Sequence, residues 1–300
     1  MTQLPSPPPV LLDHLNTVTE AEFTAALGDI FEHAPWAAAR AAALRPFDTV
    51  ADLHMAMFNA IRGQTPGERL AFFNNHPDLG GAMARARAMT TASTAEQGGL
   101  GLDRLDDARF EKFQAMNTAY RTRFGFPFIL CVRRHTRASV LRQFARRLKR
   151  DLATERDAAM HEIFLITRLR VADRVSGPGT PAIHGRLSTH VLDTATGLPA
   201  TGVPVTLFEL DAGAALPLAS ATTNADGRTD APLMAGAPLR IGEYELRFDL
   251  SFHFAATGAR RADPPYLGII PIRFAIAEPE AHYHVPLLAS PWGYTTYRGS

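Results

Sequence analysis

A single cysteine in 300 residues excludes an internal disulfide, and no Cys–Cys spacing of a structural zinc site is available. That residue, Cys131, sits inside the apolar run FPFILCV, which predicts a buried, chemically quiet thiol and fits a reducing cytoplasm. Long hydrophobic runs are also missing. No stretch approaches the roughly 20 apolar residues that a bilayer-spanning helix needs. The opening MTQLPSPPPVLLDHL lacks the basic start and apolar core of an export signal, so no membrane partner is expected. An excess of one charge is lacking as well. The 31 basic and 30 acidic residues nearly cancel, and neither half carries the basic surplus of a nucleic-acid module. The cluster Arg142, Arg146, Arg147, Lys149 and Arg150 reads as a solvated helix face. What is present is 46% hydrophobic and 20% charged residues, a globular composition with enough length for two cores. The expected partner is a small molecule.

Two periodicities divide the chain. From residue 17 to about 175, apolar residues recur at helical spacing. Thr19 and Glu22 form a capping box ahead of Phe23, Leu27, Ile30 and Phe31. Leu53, Met57 and Ile61 make a second stripe, and Thr65, Pro66 and Glu68 open a further helix. Phe110, Phe113, Asn117, Tyr120 and Phe124 continue the pattern, and Met160, Ile163, Ile166 and Arg170 end it. This half predicts an all-α bundle. After about residue 185 the period becomes two: Tyr244, Leu246, Phe248 and Leu250 alternate with Glu245, Arg247 and Asp249, and Ile270, Ile272, Phe274 and Ile276 alternate around Arg273. Turn signals such as TATG and NADG punctuate these strands, as in an antiparallel β-sandwich, with one short helix near Ser251–Thr257. The Gly/Pro-rich stretch between the halves has no apolar periodicity and reads as a linker. The division is 10–175, a linker at 176–184, and 185–300.

Three polar clusters stand out in the β half. His190 lies in RLSTHVLD, Arg228 ends TNADGR, and His282 and His284 begin HYHVPLL ahead of a tail ending YRGS. Alone, His190 is an ordinary strand histidine and Arg228 an ordinary solvated arginine. The two imidazoles of His-Tyr-His share one strand face. That pair also suits zinc, although no carboxylate or cysteine joins it at a recognisable spacing.

Together, LSTHVLD, TNADGR, HYHVPLL and YRGS resemble the signatures of 5-hydroxyisourate hydrolase, a transthyretin-like enzyme family, over residues 185–300. The resemblance implies cofactor-free hydrolysis of the ring amide of 5-hydroxyisourate. It puts His190, Arg228, His284 and Ser300 in catalytic positions and Tyr297 and Arg298 against the substrate. The residue types suit that chemistry. Histidine, with an ordinary pKa of about 6.5, can deprotonate water near neutrality. Arginine can hold an oxygen-rich ring and steady developing negative charge. The family also implies a homo-oligomer built through this domain. Ala289 stands where the family usually has a larger aliphatic residue, a departure that concerns packing. A transthyretin-type binding protein is the alternative on this scaffold, and the joint presence of both histidines, the arginine and the tail disfavours it.

In the helical half, HPDLG carries His76 and Pro77, and STAEQ carries Ser93, Glu96 and Gln97. Farther on come FGFPFILCV with Phe128 and Ile129, and LRVAD with Arg170. Taken singly, Ser93 to Glu96 is a capping box and His76 a helix stop before proline. In combination these motifs resemble 2-oxo-4-hydroxy-4-carboxy-5-ureidoimidazoline (OHCU) decarboxylase over roughly residues 10–175. The resemblance implies loss of carbon dioxide from the hydrolase product to give (S)-allantoin. The substrate's own carbonyl and imine accept the electron pair, so no cofactor is implied. His76 and Glu96 fall in catalytic positions, and Pro77, Ser93, Gln97, Phe128, Ile129 and Arg170 in substrate-binding ones. Consecutive reactions on one chain support each other. The remaining alternative is one activity with the other half serving assembly.

Overall fold

The computed structural model describes residues 9–86, 88–256 and 264–299. The chain divides into two compact units, Met1–Arg133 with Val140–Ala182, and Arg134–Ser139 with Ile183–Ser300. Among the described residues, no helix is long and apolar enough to cross a membrane.

The first unit is helical. Its helices are α1 (Leu12–Thr17), α2 (Glu20–Leu27), α3 (Pro35–Ala42), α4 (Val50–Arg62), α5 (Pro66–Asn74), α6 (Ala82–Arg85), α7 (Thr91–Gly99), α8 (Asp107–Phe124), α9 (Arg137–Arg147, part of this unit from Val140 onward) and α10 (Leu152–Arg174). Reciprocal capping boxes start α2 at Thr19 and Glu22 and α5 at Thr65 and Glu68, each satisfying backbone N–H groups that a helix start leaves open. The Leu53, Met57 and Ile61 stripe of α4 is fully buried, as are Phe113 and Tyr120 of α8. Gly125 ends α8 at φ 80°, a left-handed conformation suited to glycine.

Three features of this half depart from the periodicity. The bundle is not purely helical, because β1 (Val10–Leu11) pairs in parallel with β2 (Val175–Ser176). Two-residue strands are too short to show a period. The Gly/Pro stretch is not a free linker either. Val50 N–H donates to Pro178 C=O (2.9 Å). A Cβ on Gly177 or Gly179 would lie 2.9 Å from the Leu12 side chain or 2.7 Å from that of Thr49, so this stretch is seated on the helical unit. Finally, Arg147 is not solvated but 2% exposed, with its guanidinium on Glu155 (2.5 Å).

His54 of α4 supplies a stability test. It is buried, its Nε2 meets Thr167 Oγ1 (2.8 Å), and its ring packs on Phe164. Burial first, and then the Arg168 charge, push its pKa down to about 4. The neutral form folds, whereas an unfolded histidine titrates near 6.5, so stability is complete above about pH 6.5 and falls as pH drops towards 4. The expected loss for this group is up to about 3 kcal/mol. Urea midpoints measured between pH 7 and 4 should fall less steeply in His54→Gln than in the parent.

The second unit is built of β3 (Arg186–Asp193), β4 (Leu198–Pro199), β5 (Pro204–Asp211), β6 (Ala214–Thr222), β7 (Gly242–Asp249), β8 (Ile269–Ile276), β9 (His282–Ser290) and β10 (Gly293–Thr296). Its helix, α11 (Ser251–Ala256), falls where the break in alternation predicts one; Thr257 lies outside the described residues. Strands order as β10-β9-β3-β4 in one four-stranded sheet and β6-β5-β7-β8 in the other. Period-two burial along β3 and β5 sends Leu187, Val191, Val205 and Leu207 into a core shared by both sheets, with Ala289 in it as well. The expectation of wholly antiparallel strands is corrected at one pair. β3 and β9 run parallel through eight residue pairs, from Arg186↔His282 to Asp193↔Ala289. Alternation of side chains is the same in either direction, so it could not distinguish them. This unit also takes in Arg134–Ser139, a stretch whose periodicity placed it in the helical half. There, Thr136 N–H donates to Ile241 C=O (3.1 Å) and Ile241 N–H to Arg134 C=O (2.7 Å).

Candidate active sites

In the helical unit, α5 runs to Asn74, and Pro77 prevents its continuation. His76 is thereby set at the helix exit. Its Nδ1 lies 3.2 Å from Phe72 C=O, and its ring stands edge-on to Phe72. That carbonyl accepts only a proton-bearing nitrogen, which leaves Nε2 with the lone pair. The cap of α7 is Thr90, whose hydroxyl accepts from Ser93 N–H (3.3 Å). Ser93 is therefore inside the helix, and the capping-box reading of Ser93 to Glu96 is overturned. Helical spacing then puts Ser93, Glu96 and Gln97 on one face. Arg170, from α10, makes a two-pronged contact with Glu96, Nε to Oε1 and Nη2 to Oε2, both 2.9 Å.

One cleft is lined by His76, Pro77, Ser93, Glu96, Gln97, Phe128, Ile129 and Arg170, so the structure brings together every residue expected here. Leu130, Val132 and Ile166 add an apolar wall. Gln97 is buried and spends its side chain on the HPDLG loop, accepting from Gly80 N–H (2.9 Å). The Phe128–Val132 wall is held from behind. Arg147 Nη1 donates to Ile129 C=O (2.8 Å), and Cys131 N–H donates to Glu162 Oε2 (2.9 Å).

Glu32, between α2 and α3, belongs to this cluster and was not expected. It is 3% exposed and accepts from Thr90 Oγ1 (2.7 Å), Ser93 Oγ (3.0 Å) and Arg170 Nη1 (3.2 Å). Burial works against its charge, but the Thr90 hydroxyl, the Arg170 guanidinium, His76 and Ser93 outweigh it and hold the carboxyl below its ordinary pKa. A lone glutamate beside an apolar run carries no spacing signal, which is why the sequence hid it. For Arg170, burial likewise opposes charge, yet Glu96 and Glu32 raise its pKa above the usual value. Burial pushes His76 down to about 4, against partial compensation from Glu32. At neutral pH the imidazole is uncharged.

In the β unit, the alternation that buries Leu187 and Val191 turns Ser188 and His190 to the opposite face of the sheet. On the neighbouring strand it does the same for His282 and His284. The parallel register sets Ser188 beside His284. Ser188 Oγ lies 3.0 Å from His284 Nδ1 and 2.8 Å from His282 Nε2. The NADG turn delivers Arg228 alongside His190 through a backbone bridge. Gly227 makes that approach possible at φ 71°, where a Cβ would fall 2.3 Å from Val191 O. The tail returns so that Gly299 N–H donates to His284 C=O (2.9 Å), and a Cβ on Gly299 would lie 2.6 Å from the His284 ring.

The resulting cleft is lined by Arg186, Ser188, Arg228, Asp230, His282 and His284, among others. His190 is not part of its wall. It is joined to Arg228 by a backbone bridge, its buried Nε2 has no protein partner, and it makes a backbone hydrogen bond to Asp226. Burial first, then the Arg228 charge, lower the pKa of His190; burial, Arg228, His282 and His190 lower that of His284. Arg228 thus acts on both histidines, and His190 acts on His284. Tyr297 is 57% exposed and Arg298 stacks over the Tyr283 ring, and neither lines this cleft. Ser300 lies outside the described residues. Among the described residues, no group of three or more His, Cys, Asp or Glu side chains is arranged to hold a metal ion.

Each unit therefore presents a polar cleft in which a near-neutral imidazole faces an arginine-organised wall, the equipment of a proton-transfer enzyme. The chain belongs to the OHCU decarboxylase family, whose model matches residues 16–172, and to the HIUase/Transthyretin family, matched over residues 187–299. A 5-hydroxyisourate hydrolase of Mesorhizobium japonicum is 55% identical over 116 residues, 39% of this chain and 93% of that protein. A 2-oxo-4-hydroxy-4-carboxy-5-ureidoimidazoline decarboxylase of Haloferax volcanii is 38% identical over 165 residues, 55% of this chain and 96% of that one. A crystal structure of (S)-allantoin synthase matches 97% of this chain and 100% of its own, at 32% identity and a TM-score of 0.51.

Proposed function

We propose that this chain catalyses two consecutive steps of urate breakdown. The β unit hydrolyses 5-hydroxyisourate to OHCU, and the helical unit decarboxylates OHCU to (S)-allantoin. The observation that carries this is the assembly of a polar, histidine-bearing cleft in each unit from that family's own motif residues. A single-activity enzyme would have no use for the second. The working division is a decarboxylase domain at 10–175, a connection at 176–184 and a hydrolase domain at 185–300, the last a β-sandwich.

In the hydrolase site, His284 in the cleft and His190, which bridges to Arg228 from outside the cleft wall, remove a proton from water and protonate the departing ring nitrogen. Arg228 steadies the oxyanion of the tetrahedral intermediate. Tyr297 and Arg298 contact the substrate and Ser300 takes part in catalysis, and the working form is a homo-oligomer through this domain. In the decarboxylase cleft, His76 transfers the proton that sets the product's chirality. Glu96 accepts N–H groups of the substrate, and its charge discourages the substrate carboxylate from remaining. Arg170 is a positioning residue. Its donors are committed to Glu96, Glu32, Ser93 and Ile30 C=O, and it holds Glu96 rather than substrate. Ser93, Gln97, Pro77, Phe128 and Ile129 shape the pocket. Neither step draws on a cofactor, and the lone buried thiol suits a cytoplasmic setting.

The full chain supplied with freshly generated 5-hydroxyisourate should yield optically active allantoin faster than buffer alone. Accumulation of OHCU, or racemic allantoin at the spontaneous rate, would sink the two-step reading.

A further inference from the structure

Opening a ring amide at neutral pH leaves a proton behind. Water and the amide become a carboxylate and an N–H, so one proton must leave the hydrolase cleft in each turnover. His284 is half-buried there, whereas His282 is exposed. Between them stands the Ser188 hydroxyl, within hydrogen-bond distance of His284 Nδ1 and of His282 Nε2. A hydroxyl has one proton and can donate to only one of two imidazoles while accepting from the other.

We infer that His282 and Ser188 form a proton exit from the hydrolase site, with Ser188 relaying between the cleft histidine His284 and the solvent-facing His282. The inference rests on the reading of His284 as a proton-transfer group. In the starting arrangement, Ser188 O–H donates to His282 Nε2 and accepts from His284 Nδ1–H, leaving the lone pair on His284 Nε2. Nε2 takes a proton from the attacking water and passes it to the leaving nitrogen; when Nε2 then takes the remaining hydroxyl proton of the collapsing intermediate, the Nδ1 proton passes to Ser188 Oγ as the Ser188 proton passes to His282 Nε2. His284 returns to neutrality carrying Nε2–H, and both rings recover their starting tautomers by proton exchange with water before the next turnover. His282 becomes the imidazolium and releases its Nδ1 proton to water. No proton is created or lost, and no other reactant is needed. The surrounding charges favour this direction. Arg228, His190 and His282 all disfavour a lasting positive charge on His284, while Arg186 and Asp230 complete the polar wall that both rings share.

The test measures ring opening by the full chain in weak buffer and again with added imidazole, for the parent, His282→Ala, Ser188→Ala and His284→Asn. A relay predicts that His282→Ala and Ser188→Ala lose between about ten- and a hundredfold in kcat with KM little changed. Added imidazole should restore much of the His282→Ala rate. Full kcat in both variants, or a loss confined to KM, overturns the relay, the second pattern meaning that His282 binds substrate. A His284→Asn enzyme that keeps its rate overturns the underlying reading of the site instead, so the two failures are distinguishable. Should Ser188→Ala fold poorly, imidazole rescue of His282→Ala decides alone, because a structural defect is not repaired by a free base.

Discussion

Replacing His76 by asparagine is expected to slow decarboxylation by about 10²–10⁴-fold, the usual worth of a positioned acid–base group, while ring opening continues at the parent rate. The argument starts from tautomer and charge. Phe72 C=O claims the Nδ1 proton, and burial holds the imidazole pKa near 4, so Nε2 carries a free lone pair at neutral pH. A neutral histidine beside Glu32, Glu96 and Arg170 can accept a proton and return it to one face of the planar intermediate left by carbon dioxide. Asparagine fills similar space but cannot exchange a proton. OHCU should therefore accumulate, and the allantoin formed from it should lose optical purity. Chiral chromatography with a time course of OHCU absorbance would check both. A His76→Asn enzyme that still gave one enantiomer at a tenth of the parent rate would remove His76 from the mechanism. Loss of ring opening in the same variant would break the assignment of one reaction to each unit.

The second large effect is expected at Arg228. Arg228→Gln should lower the rate of ring opening by about 10²–10³-fold, the scale of losing one oxyanion donor. It should also move the acid limb of the pH profile. The sign follows from charge. Arg228 lowers the pKa of both His190 and His284 in the parent, and both must be neutral to act as bases. Removing the guanidinium lets both values rise towards the ordinary one near 6.5. The residual activity of the variant should then fade at a higher pH than the parent's does as the solution is acidified. An acid limb that stays in place or moves down would show that Arg228 does not set the charge state of these histidines. Decarboxylation of OHCU supplied directly should be untouched, which separates a local effect from misfolding.

Both predictions depend on residues whose type and spacing were readable along the chain, and on geometry that was not. Local patterning determined a good deal. Capping boxes at Thr19 and Thr65 are four-residue events, and they start helices where the pattern says. Period-two alternation along β3 and β9 decided which side chains leave the core, and so put Ser188, His190, His282 and His284 on one face. Motif residues at fixed offsets, such as Ser93, Glu96 and Gln97, share a helix face because 3.6 residues make a turn.

Tertiary structure decided what local chemistry leaves undetermined. The parallel pairing of β3 with β9 sets Ser188 against His284, and strands 96 residues apart carry no mutual register in their own patterns. Glu32 joins the decarboxylase cleft from 138 residues away to meet Arg170, and Arg147 is buried because Glu155 and Ile129 C=O wait for it. A buried charge is stable only where its partners converge, and convergence is a property of packing, not of neighbours along the chain. The sequence by itself therefore determined the two periodicities and the chemical groups each unit can offer. Which of those groups meet, and with what charge, was decided only when the chain closed on itself and excluded water around them.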